Sequence, residues 1–182
     1  MVRRNRRNEL LEAALEAFKV RGYEGTSLGD IVVTLGMSRA DFGYHFESKE
    51  QLLIDLVAPL LDEVDATLDR FPRHPSWPDQ GRELLTAYLE ILIEYRDVVI
   101  WIDGDKAVLE HPKLGGRLAE SNRRFREAIR GENRSVAARL GASAVLGALW
   151  RPLRNMTDLD VAREKEAMLA LAMGVVEMVR AE

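Results

Sequence analysis

Residues 26–53 read TSLGDIVVTLGMSRADFGYHFESKEQLL, and this stretch carries three helix-start signals and one tight turn. Ser27 with Asp30, Ser38 with Asp41 and Ser48 with Gln51 each set a hydroxyl three residues ahead of an acidic or amide side chain. Such pairs satisfy backbone donors left open where a helix begins. Between the first two pairs stands Leu35-Gly36-Met37. One short helix must stop there and the chain must turn sharply, through a positive φ that is cheap only for glycine. The spacing predicts two short helices crossing at a glycine turn, a helix-turn-helix, with the second helix held outward where a DNA major groove can receive it.

On the N-terminal side, Leu11, Ala14, Leu15 and Phe18 form an i, i+3, i+4, i+7 stripe, which predicts a supporting first helix ending near Gly22. Arg3, Arg4, Arg6 and Arg7 precede that stripe. Cations at a helix N-terminus oppose the macrodipole, so these arginines read as an arm able to lie on phosphates or enter a minor groove.

On the C-terminal side, Leu52, Leu53, Leu56, Val57, Leu60, Leu61, Val64 and Leu68 predict a long helix from residue 48 to 70, with a kink or short break at Pro59. Phe71 to Asp79, with three prolines, predicts a loop. The next helix, to Arg96, is apolar nearly all round through Leu84, Leu85, Tyr88, Leu89, Ile91, Leu92, Ile93 and Tyr95, as suits the centre of a bundle. Val98 to Ile102 reads as helix because no second strand pattern exists to pair with it. Asp103-Gly104-Asp105 reads as a bend in that helix, and His111-Pro112 as its end. Leu114, Leu118, Phe125 and Ile129 mark another helix; its Arg123, Arg124, Arg126 and Arg130 read as a solvated face, any one of which can meet an anionic ligand.

The last two helices, near 134–150 and 160–180, differ in kind. Ala138, Gly141, Ala142, Ala144, Val145, Gly147 and Ala148 make the first small-sided, open to close approach, and Ala167, Met168, Leu171, Ala172, Val175, Val176 and Val179 give the second an apolar stripe. The expected fold class is therefore all-α with about nine helices. A DNA-binding head occupies residues 1–47 and a helical body residues 48–182.

The head resembles the TetR (tetracycline repressor) family of transcriptional regulators, whose DNA-binding segment reads approximately T-x-x-x-I-A-x-x-x-G-V-S-x-x-x-[L/F]-Y-x-[H/Y]-F-x-x-K-x-x-L. Ser27, Asp30, Ile31, Gly36, Met37, Ser38, Phe42, His45, Phe46, Lys49, Glu50 and Leu52 stand at matching places, with Met37 for valine and Val32 for alanine. The resemblance covers about the first fifty-five residues. One departure is Gly43, where the family carries a tyrosine that helps grip the DNA backbone. A mid-helix glycine also costs about 1 kcal/mol relative to alanine. Tyr44 next to it points about 100° away around the helix.

The resemblance implies a homodimer through the last two helices, a palindromic operator in double-stranded DNA, and release of a repressor from it by a small molecule of unknown identity. It places Ser38, Arg39, Ala40, Asp41, Tyr44 and His45 toward the groove, with Ser27 at the start of the preceding helix, Thr26 and Lys49 on phosphates, and Arg3 and Arg4 in the arm. Arg39 can meet guanine or phosphate, and Asp41 can cap its helix or accept from cytosine. An effector would sit among the aromatic residues of the body, with Tyr88, Leu92, Trp101 and Trp150 as its walls. The alternative is a dimeric ligand-binding or protein-interaction module whose DNA binding Gly43 has weakened.

Composition limits other functions. At 182 residues with net charge −4, the chain is no indiscriminate polyanion binder, so DNA contact must come from locally concentrated charge. Cysteine is absent, which excludes disulfides, thiol nucleophiles and cysteine zinc sites. No apolar run reaches membrane-spanning length, and the expected location is the cytoplasm. His45, His74 and His111 are scattered, without metal-ligand spacing. No phosphate-cradling loop or nucleophile elbow occurs, so neither an enzyme, a metal nor a cofactor is expected.

Overall fold

The computed structural model describes residues 6–156, 158 and 160–180. Among these the chain forms ten α-helices and no strand: α1 Arg6–Arg21, α2 Leu28–Thr34, α3 Arg39–His45, α4 Lys49–Arg70, α5 Asp79–Glu94, α6 Arg96–Gly104, α7 Lys106–Glu110, α8 Leu114–Arg130, α9 Val136–Asn155 and α10 Val161–Arg180.

The head, α1 to α3, closes around Leu10, Ala14 and Phe18 of α1, Ile31 of α2 and Phe42 of α3, all buried. Each large side chain of this set contributes about 1.5–3 kcal/mol when removed from water. The first helix starts earlier than its arginines suggested. Arg6 and Arg7 lie in its first turn, where Arg6 pairs with Glu9 at 2.7 Å and Arg7 pairs with Asp55 of α4, and these carboxylates offset the unfavourable dipole. The arm reading therefore keeps only Arg3 and Arg4, which lie outside the described residues.

In the body, α4 runs unbroken through Pro59, whose ring lies on the exposed side, so the break expected there is absent. Central α5 packs against α4, α6, α9 and α10, burying Leu84, Leu85, Tyr88, Leu89, Ile91 and Leu92. Ten helices replace the expected nine because Asp105 divides the segment from 96 to 110. Its backbone is extended (φ −123°, ψ 121°) and its carboxylate accepts from Ala107 N at 2.9 Å, capping α7 as a separate helix.

The small residues of α9 are used first within the chain. A Cβ on Gly141 would lie 1.8 Å from Val179 Cγ2, so glycine is what lets α10 lie so close. Ala138, Ala142, Val145 and Leu149 face the same interior. On the outward side Val136 and Leu140 of α9 and Leu171 and Met178 of α10 are each at least 67% exposed.

Candidate nucleic-acid interface and body cavity

The turn between α2 and α3 is fixed at both sides by hydrogen bonds written into the local sequence. Ser27 Oγ accepts from Asp30 N at 3.2 Å while Asp30 accepts from Ser27 N at 2.8 Å. Ser38 and Asp41 repeat the pattern at 3.1 and 2.9 Å. The hydrogen bonds from Ser27 and Ser38 hold both carboxylates below the usual aspartate range. Gly36 takes φ +63°, and the N–H groups of Gly36 and Met37 return to the carbonyls of Val33 and Val32. This is a Schellman ending, satisfying the last carbonyls of α2 before the chain reverses into α3.

Helix α3 buries Phe42 and turns Arg39, Ala40, Asp41, Gly43 and Tyr44 to solvent, with Tyr44 86% exposed. His45 is half-buried with its ring edge-on to Tyr44, centroids 5.1 Å apart. The Arg39 guanidinium reaches back over Gly29 and makes no hydrogen bond or ion pair among the described residues. Ser27 and Ser38 are exposed at the starts of α2 and α3, and the side chain of Asp41, itself exposed, caps α3.

Two residues assigned to phosphate stand differently. Thr26 is buried, its single hydroxyl hydrogen shared between Gly22 O at 2.8 Å and Ala17 O at 3.2 Å and its N–H donating to Tyr23 O. Lys49 Nζ donates to Tyr23 O at 2.8 Å and Thr26 O at 3.0 Å and lies 4.0 Å from the Tyr23 ring centroid. Both tie the α1–α2 turn to the start of α4. Buried carbonyls need such donors, a demand that outranks solvent contact and involves residues distant in sequence.

Below the head, the body meets it through α4, α6 and Asp105 at the break before α7. Trp101 stacks on Phe18 with centroids 5.3 Å apart, and its indole donates to Asp105 at 2.9 Å. The same carboxylate accepts Tyr23 N at 2.6 Å. Burial pushes Asp105 up, but hydrogen bonds from Ala107 N, Tyr23 N and Trp101 outweigh it, aided by the Lys49 charge, and the net direction is down. His111, 9% exposed, accepts from Lys113 N and Leu114 N through Nδ1, so Nε2 carries the hydrogen and donates to Glu50 at 3.1 Å.

A cavity of about 230 Å³ lies between α4, α5, α6, α8 and α9. Its walls include Leu60, Leu61 and Val64 of α4, Tyr88 and Leu92 of α5, Val99 and Ile102 of α6, Leu118, Ser121 and Asn122 of α8, and Trp150 of α9. Tyr88, Leu92 and Trp150 were readable as walls from the sequence. Trp101 is not a wall: it faces the head, because Phe18 stacks on it and Asp105 holds its indole. The α4 and α8 residues were missed as walls, since an apolar stripe gives no sign of which neighbours leave space between them.

A family model described as "Bacterial regulatory proteins, tetR family" matches residues 10–56. The HTH-type transcriptional repressor KstR2 of Mycolicibacterium smegmatis is 36% identical over 160 residues, covering 86% of this chain and 71% of that protein. The uncharacterized HTH-type transcriptional regulator YfiR of Bacillus subtilis is 36% identical over 95 residues, 51% of this chain, which spans only 44% of that protein's length. Among solved structures, KstR2 of Mycobacterium tuberculosis superposes with a TM-score of 0.76 at 20% identity over 94% of each chain. PfmR of Thermus thermophilus gives 0.68 at 22%, covering 92% of this chain and 97% of its own. The structural likeness carries the fold, and the long alignment to the Mycolicibacterium repressor carries the kinship: this chain belongs to the TetR family of bacterial regulatory proteins.

Proposed function

We propose that this chain is a dimeric, effector-responsive transcriptional repressor that leaves a palindromic operator when a small molecule enters the body cavity. The observation that carries the reading is the outer face of α3, where Arg39, Ala40 and Tyr44 project from a helix whose start and preceding turn are fully hydrogen-bonded. Arg39 meets a guanine edge or a phosphate, Tyr44 and His45 lie along the groove wall, and the exposed N-termini at Ser27 and Ser38 face backbone phosphates. Arg3 and Arg4 belong to an N-terminal arm on the same duplex.

Residues 1–47 act as the DNA-binding unit and residues 48–182 as the effector-binding and dimerising unit. The exposed Val136, Leu140, Leu171 and Met178 support a two-fold bundle of α9 and α10 with a second copy. Two heads then reach half-sites about 34 to 36 Å apart, or more. Effector in the cavity shifts α4, α6 and α7 together and changes the distance between heads, a redistribution between two dimer shapes. Among the described residues no helix is long and apolar enough to cross a membrane, which suits a protein working on cytoplasmic DNA. The relatives of this chain are named as regulators, and the role proposed is regulatory.

The solved KstR2 is known as a ketosteroid transcriptional regulator. On the scale of a ~150 Å³ cavity for benzene, 230 Å³ holds about nine heavy atoms, roughly half a steroid nucleus. In this shape the cavity suits a molecule smaller than a steroid.

Selection of genomic fragments by the purified protein, followed by footprinting, tests the reading. A protected palindrome is expected, with protection weakened tenfold or more by Arg39→Ala. Recovery of unrelated fragments, without a shared palindrome, would refute it.

A further inference from the structure

We propose that the cavity takes an amphipathic monoanion of about nine heavy atoms in all, an apolar chain ending in one carboxylate-like group held by Tyr88, Asn122 and Arg126. The proposal rests on the reading of this cavity as the effector site and names the chemistry of its occupant.

The polar groups of the cavity fall into two classes. Ser121 donates to Asp65 at 2.7 Å, and Asp103 is paired with Arg154, so both are satisfied within the protein. Tyr88 and Asn122 also line the space, yet neither the Tyr88 hydroxyl nor the Asn122 amide makes a hydrogen bond among the described residues. Tyr88 is only 8% exposed, with its ring against Phe125, centroids 4.1 Å apart. Among the described residues no fully buried side-chain polar atom lacks a partner, so the unpaired Tyr88 hydroxyl is open to the cavity and able to bond to a molecule entering it. Both open groups can donate as well as accept, so an acceptor is one partner that suits them together.

Arg126 makes that acceptor an anion. Leu118, Asn122 and Arg126 lie at i, i+4 and i+8, one stripe of α8 running from the apolar wall past the open amide to the guanidinium. Each step is about 6 Å, and a helical side chain leans toward the N-terminus, which brings Arg126 back over the Asn122 turn. The guanidinium is half-buried and makes no hydrogen bond or ion pair among the described residues, whereas its helix neighbours Arg123 and Arg124 are both paired with carboxylates. Burial pushes the Tyr88 hydroxyl up to about 12, and the charge of Arg126 acts against that rise, which places cation and phenol in one neighbourhood. Arg126 is not itself a cavity wall; it lines the open groove between α8 and α9, where its guanidinium meets solvent.

Calorimetric titration of the full-length protein, without DNA, with octanoate, octanamide and octan-1-amine tests this. The chain is common to all three and only the head differs. Octanoate should bind at least about tenfold more tightly than octanamide, the range of one charge-assisted hydrogen bond, and the amine more weakly still. Arg126→Gln should reduce octanoate to the affinity of octanamide while leaving the amide unchanged, and Tyr88→Phe should weaken both. Leu118→Trp fills the cavity and should abolish binding of all three.

Equal or tighter binding of the amide, unaltered octanoate affinity in Arg126→Gln, or no octanoate binding at millimolar concentration overturns the proposal. Amide binding that is lost in Leu118→Trp leaves the cavity reading standing and removes only the anion. Octanoate binding that survives Leu118→Trp sinks the cavity reading as well. Sedimentation of Arg126→Gln completes the test: an unchanged dimer supports the ligand role, and a dissociated one assigns Arg126 to the subunit contact instead.

Discussion

The Asp105 carboxylate, at the break between α6 and α7, accepts the backbone N–H of Tyr23 at 2.6 Å, across 82 residues of sequence. Tyr23 sits in the turn of the head that leads to α2, and its carbonyl in turn accepts from Lys49 at the start of α4. Two residues away on either side of Asp105, Asp103 lines the cavity and Ala107 lies in the first turn of α7. One carboxylate thus joins the wall of the cavity, the head and the long connecting helix. A ligand that displaces α6 or α7 must move the head or break this bond.

Replacing Asp105 with alanine leaves Tyr23 N, Trp101 Nε1 and the start of α7 without their acceptor. Each open buried donor costs about 1–3 kcal/mol. We expect a clear fall in thermal midpoint, with faster hydrogen exchange at Tyr23 than at Ile31. Equal protection of Tyr23 in both proteins would deny the bond its role.

The same carboxylate gives an acid limb to stability. Its folded pKa lies below the ordinary 3.8, so the unfolded chain binds its proton first as pH falls. Its contribution is complete above about pH 5 and is lost as pH drops through the depressed folded value; Asp30 and Asp41 act in the same direction. The urea midpoint should be nearly flat from pH 7 to about 5 and then fall. Asp105→Asn should flatten part of that fall, and an unchanged acid limb in this variant would contradict the assignment.

Gly43 stands on the outer face of α3 with nothing within 4 Å of a built Cβ. Tyrosine there meets no clash and removes part of the roughly 1 kcal/mol helix penalty of glycine. Gly43→Tyr should bind operator DNA several-fold more tightly and melt no lower than the parent. If affinity is unmoved, the missing phosphate contact is supplied by another residue.

The outward faces of α9 and α10 predict a separation of fold from assembly. Leu140→Glu and Leu171→Glu alter exposed positions and should leave helicity intact while sedimentation reports monomer. Gly141→Ala should instead lower the melting temperature, because the added Cβ meets Val179 inside the chain; overpacking of this kind costs about 1–3 kcal/mol. A dimer unaffected by either glutamate would move the subunit contact to another surface.

The head was legible because its determinants are local. Three serine caps, Gly36 and Phe42 act on neighbours within five residues, and all three caps form. The division at Asp105 was not, since an aspartate in a helical pattern reads as a bend until its distant partners Tyr23 and Trp101 are known. Thr26 and Lys49 misled in the same way: a polar side chain near a DNA-facing helix is no guide to whether buried carbonyls claim it first. In the body, Tyr88, Leu92 and Trp150 were legible as aromatic or apolar residues on central helices. Trp101 has the same character but faces the head, and residue type alone does not tell one side of α6 from the other. The open donors of Tyr88 and Asn122 emerge only when every other polar partner has been accounted for.

A salt titration of binding to the DNA flanking the protein's own gene, beside an unrelated duplex of equal length, tests the regulatory reading most directly. The flanking fragment should bind roughly a thousandfold or more tightly at moderate salt, with a steep salt slope, and Arg39→Ala should remove most of the difference. Equal, weak binding to both duplexes by the effector-free dimer would contradict regulation at that locus, and absence of any selected genomic site would contradict a DNA-binding role altogether.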